Sequence, residues 1–440
     1  MLSSSRLLWH KRLFPLRPGE GRKALLCALY FFLLLMSYYL LRPLRETFGI
    51  SRGADKLPLV WSCTLGVMAL ANPLYSALIA HKPRRKFIPW TYFTFAAMLL
   101  AFGLFFQWLP GHGGAALGYT FYVWLSVFNL FVVSIFWAFM SDLYSKEDGQ
   151  RLYGFIAIGG TCGAIVGSWA TGLFSQWLGQ AQSQWLFYAS AAILGLAVIC
   201  VAALFRNESE IKSRSHLICQ DSQEPMLADA SREPGPGVIA GFSLIGRSRL
   251  LQSMSLYILL YAVVGTFLYI IQARVIEGAF ADSSARTAAF AQLDLWANLL
   301  TLVAQLCLTH RMVAKVGIPI SLAILPFVII LGFGALMLWP GFAAIAIFQV
   351  ARRGLHYAVD RPVREMLYIP LAPDAKYKAK SFIDTFVYRA GDLVGVWLDP
   401  LLRAISIPLG LPSLGISALW LGGAVWLGRL SGEKEGRIGE

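Results

Sequence analysis

At 440 residues, 57% hydrophobic and only 14% charged, the chain is too apolar for a water-soluble globule and reads as a polytopic membrane protein. Its formal net charge of +14 lies mostly in connections between apolar runs, without the aromatic interleaving of an RNA-binding surface, so nucleic acid is not an expected partner. The six cysteines form no C-x-x-C pair, the six histidines are dispersed, and there is no G-x-x-x-x-G-K-[ST] loop. No metal, no cofactor and no enzymatic activity are therefore expected.

A basic tail, residues 1–23, is followed by twelve apolar runs: about 24–44, 57–80, 87–109, 116–140, 152–178, 184–205, 250–273, 287–309, 317–339, 341–360, 380–402 and 410–429. Each has the length of a helix that crosses hydrocarbon. The first is too long, and lacks the small-residue cleavage site, for a signal peptide. The expected fold class is an all-α polytopic membrane protein with twelve transmembrane helices in two six-helix halves. These halves are 24–205 and 250–429, joined by a hydrophilic interdomain loop, 206–249, and followed by a tail, 430–440. The tails and even-to-odd connections hold 28 of the 38 Lys and Arg, against 6 in the odd-to-even connections, which predicts cytoplasmic termini.

Span one ends in Tyr38-Tyr39-Leu40-Leu41-Arg42-Pro43-Leu44-Arg45-Glu46-Thr47, where Pro43 is expected to kink or unwind the helix. Its charged groups belong either to a cavity lining or to the membrane interface. Basic turns at 81–86 and 310–317 fall at equivalent places in the two halves. Gly159, Gly163 and Gly167 make a small-residue ridge in span five that predicts close helix packing. Span seven carries a stripe of Tyr257, Tyr261, Gly265, Tyr269 and Gln272, suited to a wall that stacks on a planar ligand. Span eight aligns Asp294, Asn298, Thr301 and Gln305 on one polar face, which must look into the protein or a cavity. On span ten, Gln349, Arg353, His356 or Tyr357, Asp360 and Arg364 share a face, and Arg352 or Arg353 sits deep enough to cost about 2.5–3.5 kcal/mol unless paired or hydrated. Span eleven answers with Lys380, Asp384, Tyr388 and Asp392, with Arg389 adjacent. From Arg352 to Asp392 there are 8 Lys or Arg and 5 Asp or Glu, a density that marks a functional site unless it coats a loop.

The text Asp360-Arg361-Pro362-Val363-Arg364-Glu365-Met366-Leu367-Tyr368-Ile369-Pro370-Leu371, then Lys376-x-Lys378-x-Lys380-x-x-Ile383-Asp384, resembles the nucleotide-exchange (ATP:ADP antiporter) family of bacteria and plastids. Leu41-Arg42-Pro43-Leu44-Arg45-Glu46-Thr47, Phe136-Trp137-Ala138-Phe139 and the turn from Lys146 to Tyr153 are similar to it as well. The resemblance implies a twelve-span, major-facilitator-like fold. It also implies that Arg45, and Lys378 or Lys380, contact substrate phosphates. Two departures stand against simple transfer. Arg45 occupies the place of a family Lys, and no Glu stands between Val123 and Ser126 where the nucleotide carriers have one. The chain is closer in style to the family's bacterial branch of undefined substrate, in the inner membrane.

The expected function is secondary transport of an anionic, phosphate-bearing or nucleotide-like solute by alternating access, with nucleotide exchange as one form of it. The substrate-binding candidates are Arg42, Arg45, Glu46, Tyr261, Tyr269, Asn298, Arg353, Tyr357, Lys378, Lys380, Tyr388 and Arg389. The coupling or gating candidates are Asp294, Asp360, Arg361, Arg364, Glu365, Asp384 and Asp392, with Asp360–Lys380 and Asp384–Arg353 as expected ion pairs. The alternative is a proton-coupled facilitator for an anionic metabolite or siderophore, with Asp294, Asp384 or Asp392 carrying the proton. The expected partners are a small anionic substrate and the lipid bilayer, with the chain acting as a monomer.

Overall fold

The computed structural model describes residues 17, 20–79, 84–108, 114–178, 184–218, 245–246, 248–307, 309–368, 379–380 and 382–436. Among these residues all regular structure is helical. The helices are α1 (Gly21–Gly49), α2 (Leu57–Ile79), α3 (Arg84–Trp108), α4 (Gly114–Leu143), α5 (Lys146–Leu178), α6 (Gln184–Ile218) and α7 (Arg249–Ala279). They continue as α8 (Ser283–Cys307), α9 (Thr309–Leu338), α10 (Phe342–Leu355), α11 (Arg361–Met366), α12 (Tyr388–Ala404) and α13 (Gly410–Gly436). Ten of them, α1 to α9 and α13, contain stretches long and apolar enough to cross a membrane. Predicted spans ten and eleven are the broken ones. There α10 has 14 residues and α12 has 17, and each adjoins a π-helical turn, His356–Asp360 and Ile383–Val387 respectively.

The first π turn has a local cause. Pro362 has no N–H to offer the Ala358 carbonyl, and its ring crowds that oxygen. The helix widens just before it, so that the Arg361 N–H donates to the His356 carbonyl, five residues back. The second π turn closes the same way, from Tyr388 N–H to the Ile383 carbonyl, and no proline accounts for it. The break expected at Pro43 is not an unwinding: α1 runs on through Pro43 to Gly49. It packs on α4, α5 and α6, and this surrounding contact holds the helix on both sides of the proline. In α9 the irregular residue is Gly317, whose φ of +78° suits a glycine and separates the preceding basic turn from the apolar Gly317–Leu338 stretch.

Backbone contacts divide the chain into two compact units. Unit one comprises Met1–Ser51, Cys63–Ala228 and Asp282–Leu299; unit two comprises Arg52–Ser62, Asp229–Ala281 and Leu300–Glu440. In unit one, Gly159, Gly163 and Gly167 lie directly on the α1 backbone. A methyl group on Gly167 would sit 2.7 Å from the Met36 carbonyl oxygen, and one on Gly159 or Gly163 would overlap the carbonyls of Ala28 and Phe32. Close approach of two backbones is the packing that small residues permit inside a membrane. Beside the ridge, Thr171 donates to the Leu40 carbonyl at 2.7 Å, and the Ser37 and Ser190 hydroxyls meet at 2.7 Å. Phe31 stacks on Phe136 at 4.1 Å between ring centroids.

In unit two, Gly391 and Gly395 of α12 perform the same service against Ala262 and Thr266 of α7. The core there gathers Tyr257, Leu322, Ile329, Phe333, Ile345 and Trp420, all buried. Opposite faces are apolar and uncovered: Trp90, Phe93, Leu100 and Leu104 on α3, and Phe327, Leu331 and Leu338 on α9. Apolar surface of this extent is a lipid-facing wall.

Candidate functional site

Two polar clusters sit inside these apolar units. In unit one, Arg42, on α1, donates from Nη1 to Asp294 Oδ1 of α8 at 2.5 Å, and its Nε lies 4.0 Å from Glu46 Oε1. Arg45 reaches the same Glu46 oxygen at 3.3 Å, and its guanidinium lies over the Tyr122 ring at 4.0 Å. Thr47 and Thr287 join hydroxyls at 2.8 Å, and Asn298 Nδ2 donates back to the Asp294 carbonyl at 2.8 Å. These contacts explain why Asp282–Leu299 belongs to unit one. Asp294, Asn298 and Thr301 are all buried, so the polar face read from span eight does look inward.

In unit two the tyrosine stripe of α7 meets the charged face of α10. Tyr257 donates from its hydroxyl to Asp360 Oδ1 at 2.5 Å, and that Tyr257 hydroxyl also lies 3.1 Å from the Leu322 carbonyl oxygen. His356 Nδ1 lies 2.9 Å from Asp360 Oδ2, and Asp360 is wholly buried. The Tyr261 ring stacks on His356 at 4.6 Å and 13°, with Tyr388 at 6.0 Å and Trp420 at 5.7 Å. A polar relay runs alongside: Arg352 Nε donates to Gln349 Oε1 at 2.8 Å, and Gln349 Nε2 donates to Gln272 Oε1 at 2.5 Å. Gly265 leaves room here, since a methyl group at that position would stand 3.5 Å from Arg352 Nη1. Lower on α12, Asp392 accepts from Arg389 at 3.3 Å and from Thr266 at 3.4 Å.

The sequence-predicted residues sort accordingly. Arg42, Arg45, Glu46, Asp294 and Asn298 come together in unit one; Tyr261, Asp360, Tyr388, Arg389 and Asp392 come together in unit two, with Tyr357 edge-on to His356 at 5.0 Å. Tyr269 does not join Tyr261: the helix turns it onto Trp61, 5.0 Å away. Arg353 is half-buried, but the relay to Gln349 and Gln272 belongs to its neighbour Arg352. Among the described residues Arg364 keeps a buried Nη1 with no hydrogen-bond partner, whereas Arg361 and Asp384 are exposed. The expected Asp360–Lys380 and Asp384–Arg353 pairs are not those formed. Lys380 pairs with Glu365 at 2.5 Å because both lie where the broken helices end, while Asp360 is turned into the core toward Tyr257 and His356. Lys378 lies outside the described residues.

A further charged cluster escaped the sequence reading. Asp399, at the far end of α12 and wholly buried, accepts from Arg274 at 2.5 Å and is ion-paired with Arg403 Nη2 at 3.1 Å. Arg403 also pairs with Asp55, while Glu277 Oε2 accepts the Ala54 N–H at 2.9 Å and Trp397 Nε1 donates to Ser62 at 3.0 Å. These contacts place Arg52–Ser62 in unit two. The Asp399-x-x-x-Arg403 spacing was the available signal, hidden because each residue alone reads as a span-end charge.

The sequence profile of the Major Facilitator Superfamily matches residues 24–359. The "ADP,ATP carrier protein 5" of Rickettsia felis (strain ATCC VR-1525 / URRWXCal2) is 25% identical over 295 residues, which span 60% of this chain and 58% of that protein. A crystal structure of a variant of nucleoside transporter NupG superposes with a TM-score of 0.60 at 13% identity, covering 93% of this chain and 99% of the other. A bacterial homolog of the human lysosomal transporter Spinster, in an inward-facing and unoccupied conformation, gives 0.52 at 13% identity, covering 94% of each chain. At these identities the two structures speak for the fold alone: an all-α, two-half, multi-pass arrangement. A profile match over most of the chain, on a helical framework of this kind, makes the protein a member of the Major Facilitator Superfamily, whose fold is that of membrane transporters.

Proposed function

We propose that the protein is a secondary active transporter of a small anionic, phosphate-bearing or nucleotide-like solute, working by alternating access. In this reading segments 24–205 and 250–429 rock against each other in a bacterial inner membrane, with both termini in the cytoplasm. The observation that carries the anionic solute is Arg352. Its guanidinium is half-buried in a broken span, and among the described residues it donates to a neutral amide, Gln349, with no carboxylate paired to it. A cation held there without an acid is costly unless something else neutralises it. A solute phosphate or carboxylate does so, and the fork of Arg suits either. Arg45 supplies a second guanidinium in unit one, paired with Glu46 and backed by the Tyr122 ring. The Rickettsia relative, named an ADP,ATP carrier, supports the nucleotide end of the class.

Purified protein in liposomes preloaded with ATP tests the reading. Uptake of labelled ADP or inorganic phosphate should exceed that of empty liposomes, and Arg352→Ala should cut it by about tenfold or more, since a charge-assisted contact is worth roughly 1.5–3 kcal/mol. Uptake at the empty-liposome level for every phosphate compound would overturn the phosphate class. Unchanged uptake in Arg352→Ala would remove Arg352 from the site.

A further inference from the structure

Unit two contains a buried acid–base pair that anion binding by itself does not use. Asp360 is wholly buried, and its direct partners are the Tyr257 hydroxyl at 2.5 Å and His356 Nδ1 at 2.9 Å. A purely structural carboxylate would be better served by a permanent cation, because an ionised group without one is expensive in a membrane interior. Two of the acids proposed from sequence as proton carriers have such a partner: Asp294 faces Arg42 at 2.5 Å and Asp392 faces Arg389 at 3.3 Å. The third, Asp384, is exposed. Asp360 instead touches an imidazole, a group that can hold or release a proton.

The surroundings give that variability a purpose. The π turn that spans His356–Asp360 places both side chains on the core side, and such turns recur at functional sites. From α7 the pair meets Tyr257 and Tyr261; from its own span it feels Arg352 and Arg364; Tyr357 and Tyr388 lie around the stacked Tyr261–His356 rings. α13 contributes the Trp420 ring, and α9 contributes the Leu322 carbonyl beside the Tyr257 hydroxyl. Burial and the charges of Arg364 and Arg352 act against a proton on the imidazole, while Asp360 acts for one. An anion seated against Arg352 removes much of that opposition. Binding of the anion and binding of the proton then strengthen each other, and linkage makes the effect reciprocal.

We propose that His356 and Asp360, with Tyr257, form a proton-binding site that takes up one proton together with the anionic solute. The proton comes from water and adds to the neutral imidazole. The imidazolium then donates Nδ1–H to Asp360 Oδ2, while Asp360 stays ionised and continues to accept the Tyr257 O–H. Loss of the anion restores the opposing field of Arg352 and Arg364 and returns the proton to water. This site rests on the anionic-solute reading above and adds a coupling ion to it.

Calorimetry of ADP binding to the purified full chain, in buffers of different ionisation enthalpy, counts the protons taken up per ADP. Wild type is expected to take up about one more proton per ADP than His356→Gln or Asp360→Asn, a comparison in which the titration of ADP itself cancels. Equal counts in all three proteins would overturn the site. Tyr257→Phe keeps the ring and removes one hydrogen bond from the carboxylate, so it serves if the other variants do not fold. It should move the midpoint of proton uptake to higher pH, and an unmoved midpoint would count against the site. If wild type binds no ADP, it is the nucleotide reading that fails, and the protons taken up are then counted with inorganic phosphate as the anion. One proton more in wild type than in the His356→Gln, Asp360→Asn double variant supports the site; equal counts overturn it.

Discussion

Among single residues, the charges that matter here are those whose partners are also buried. Asp399 takes a hydrogen bond from Arg274 and an ion pair from Arg403, and its side chain is only 1% exposed, against 63% for Asp55. Removing the negative charge at Asp399 leaves two guanidinium groups facing each other around a buried neutral group. Asp399→Asn should therefore lower unfolding stability by about 2–4 kcal/mol, the range for breaking a buried pair, reduced for the partial exposure of the arginines. Asp55→Asn should cost less than about 1 kcal/mol, as an exposed ion pair does. Thermal unfolding of both variants in one detergent checks the contrast. Similar losses would mean that burial is not what decides the strength of this cluster.

At the scale of helices, the small-residue ridge of α5 makes the sharpest statement. Gly163 meets the carbonyl of Phe32, while Gly154, on the same helix, has nothing within 4 Å of the position a methyl group would take. A backbone carbonyl cannot swing aside as a side chain can, so Gly163→Ala must push α1 from α5. The expected cost is about 2 kcal/mol, within the span for overpacked cores. Gly154→Ala should be neutral or stabilise by up to about 1 kcal/mol through reduced backbone freedom in the unfolded chain. Melting temperatures that fall equally for the two would sink the close-packing account. The same scale explains the two π turns: they are where the helix ladder is widened, and both border the polar groups of unit two.

For the molecule as a whole, one charged cluster gives a pH dependence with a defined sign. Arg151 donates to both carboxylate oxygens of Glu20 at 2.7 Å and to Asp148 at 2.8 Å, where α1 begins and the α4–α5 turn ends. The hydrogen bond from Arg151 holds the carboxyls of both Glu20 and Asp148 below their ordinary values; the Arg17 N–H assists at Glu20 and Ser145 assists at Asp148. Depressed values in the folded state mean that this contribution is present above the ordinary carboxylate range, about pH 4, and is lost as the pH falls through the folded values. The melting temperature of wild type should therefore fall more steeply below about pH 4 than that of Arg151→Met. Parallel acid profiles for the two proteins would show that the cluster contributes nothing. Both carboxylates lie outside the apolar stretches, so the effect should also shrink as salt is raised.

Much of this was legible from sequence because hydrocarbon imposes its demands locally. A run of about twenty apolar residues crosses a bilayer wherever it sits in the chain, and a polar residue inside such a run must face inward. That is why Tyr257, Tyr261 and Gln272 of span seven, the Asp294–Asn298–Thr301 face of span eight and the small-residue ridge of span five are found turned inward. The motifs from Leu41 to Thr47 and from Asp360 to Asp384 likewise pointed to the transporter family before any fold was known. What the sequence could not decide is which inward groups meet. Arg42 and Asp294 are 252 residues apart, and Tyr257 and Asp360 are 103 apart. Their pairing depends on how separate helices rotate and stack, not on the spacing within any one of them. Only the tertiary structure could turn Asp360 toward His356 and away from Lys380, choose Arg352 over Arg353 for the amide relay, and move short segments of α8 and α2 into units other than those their place in the chain suggests.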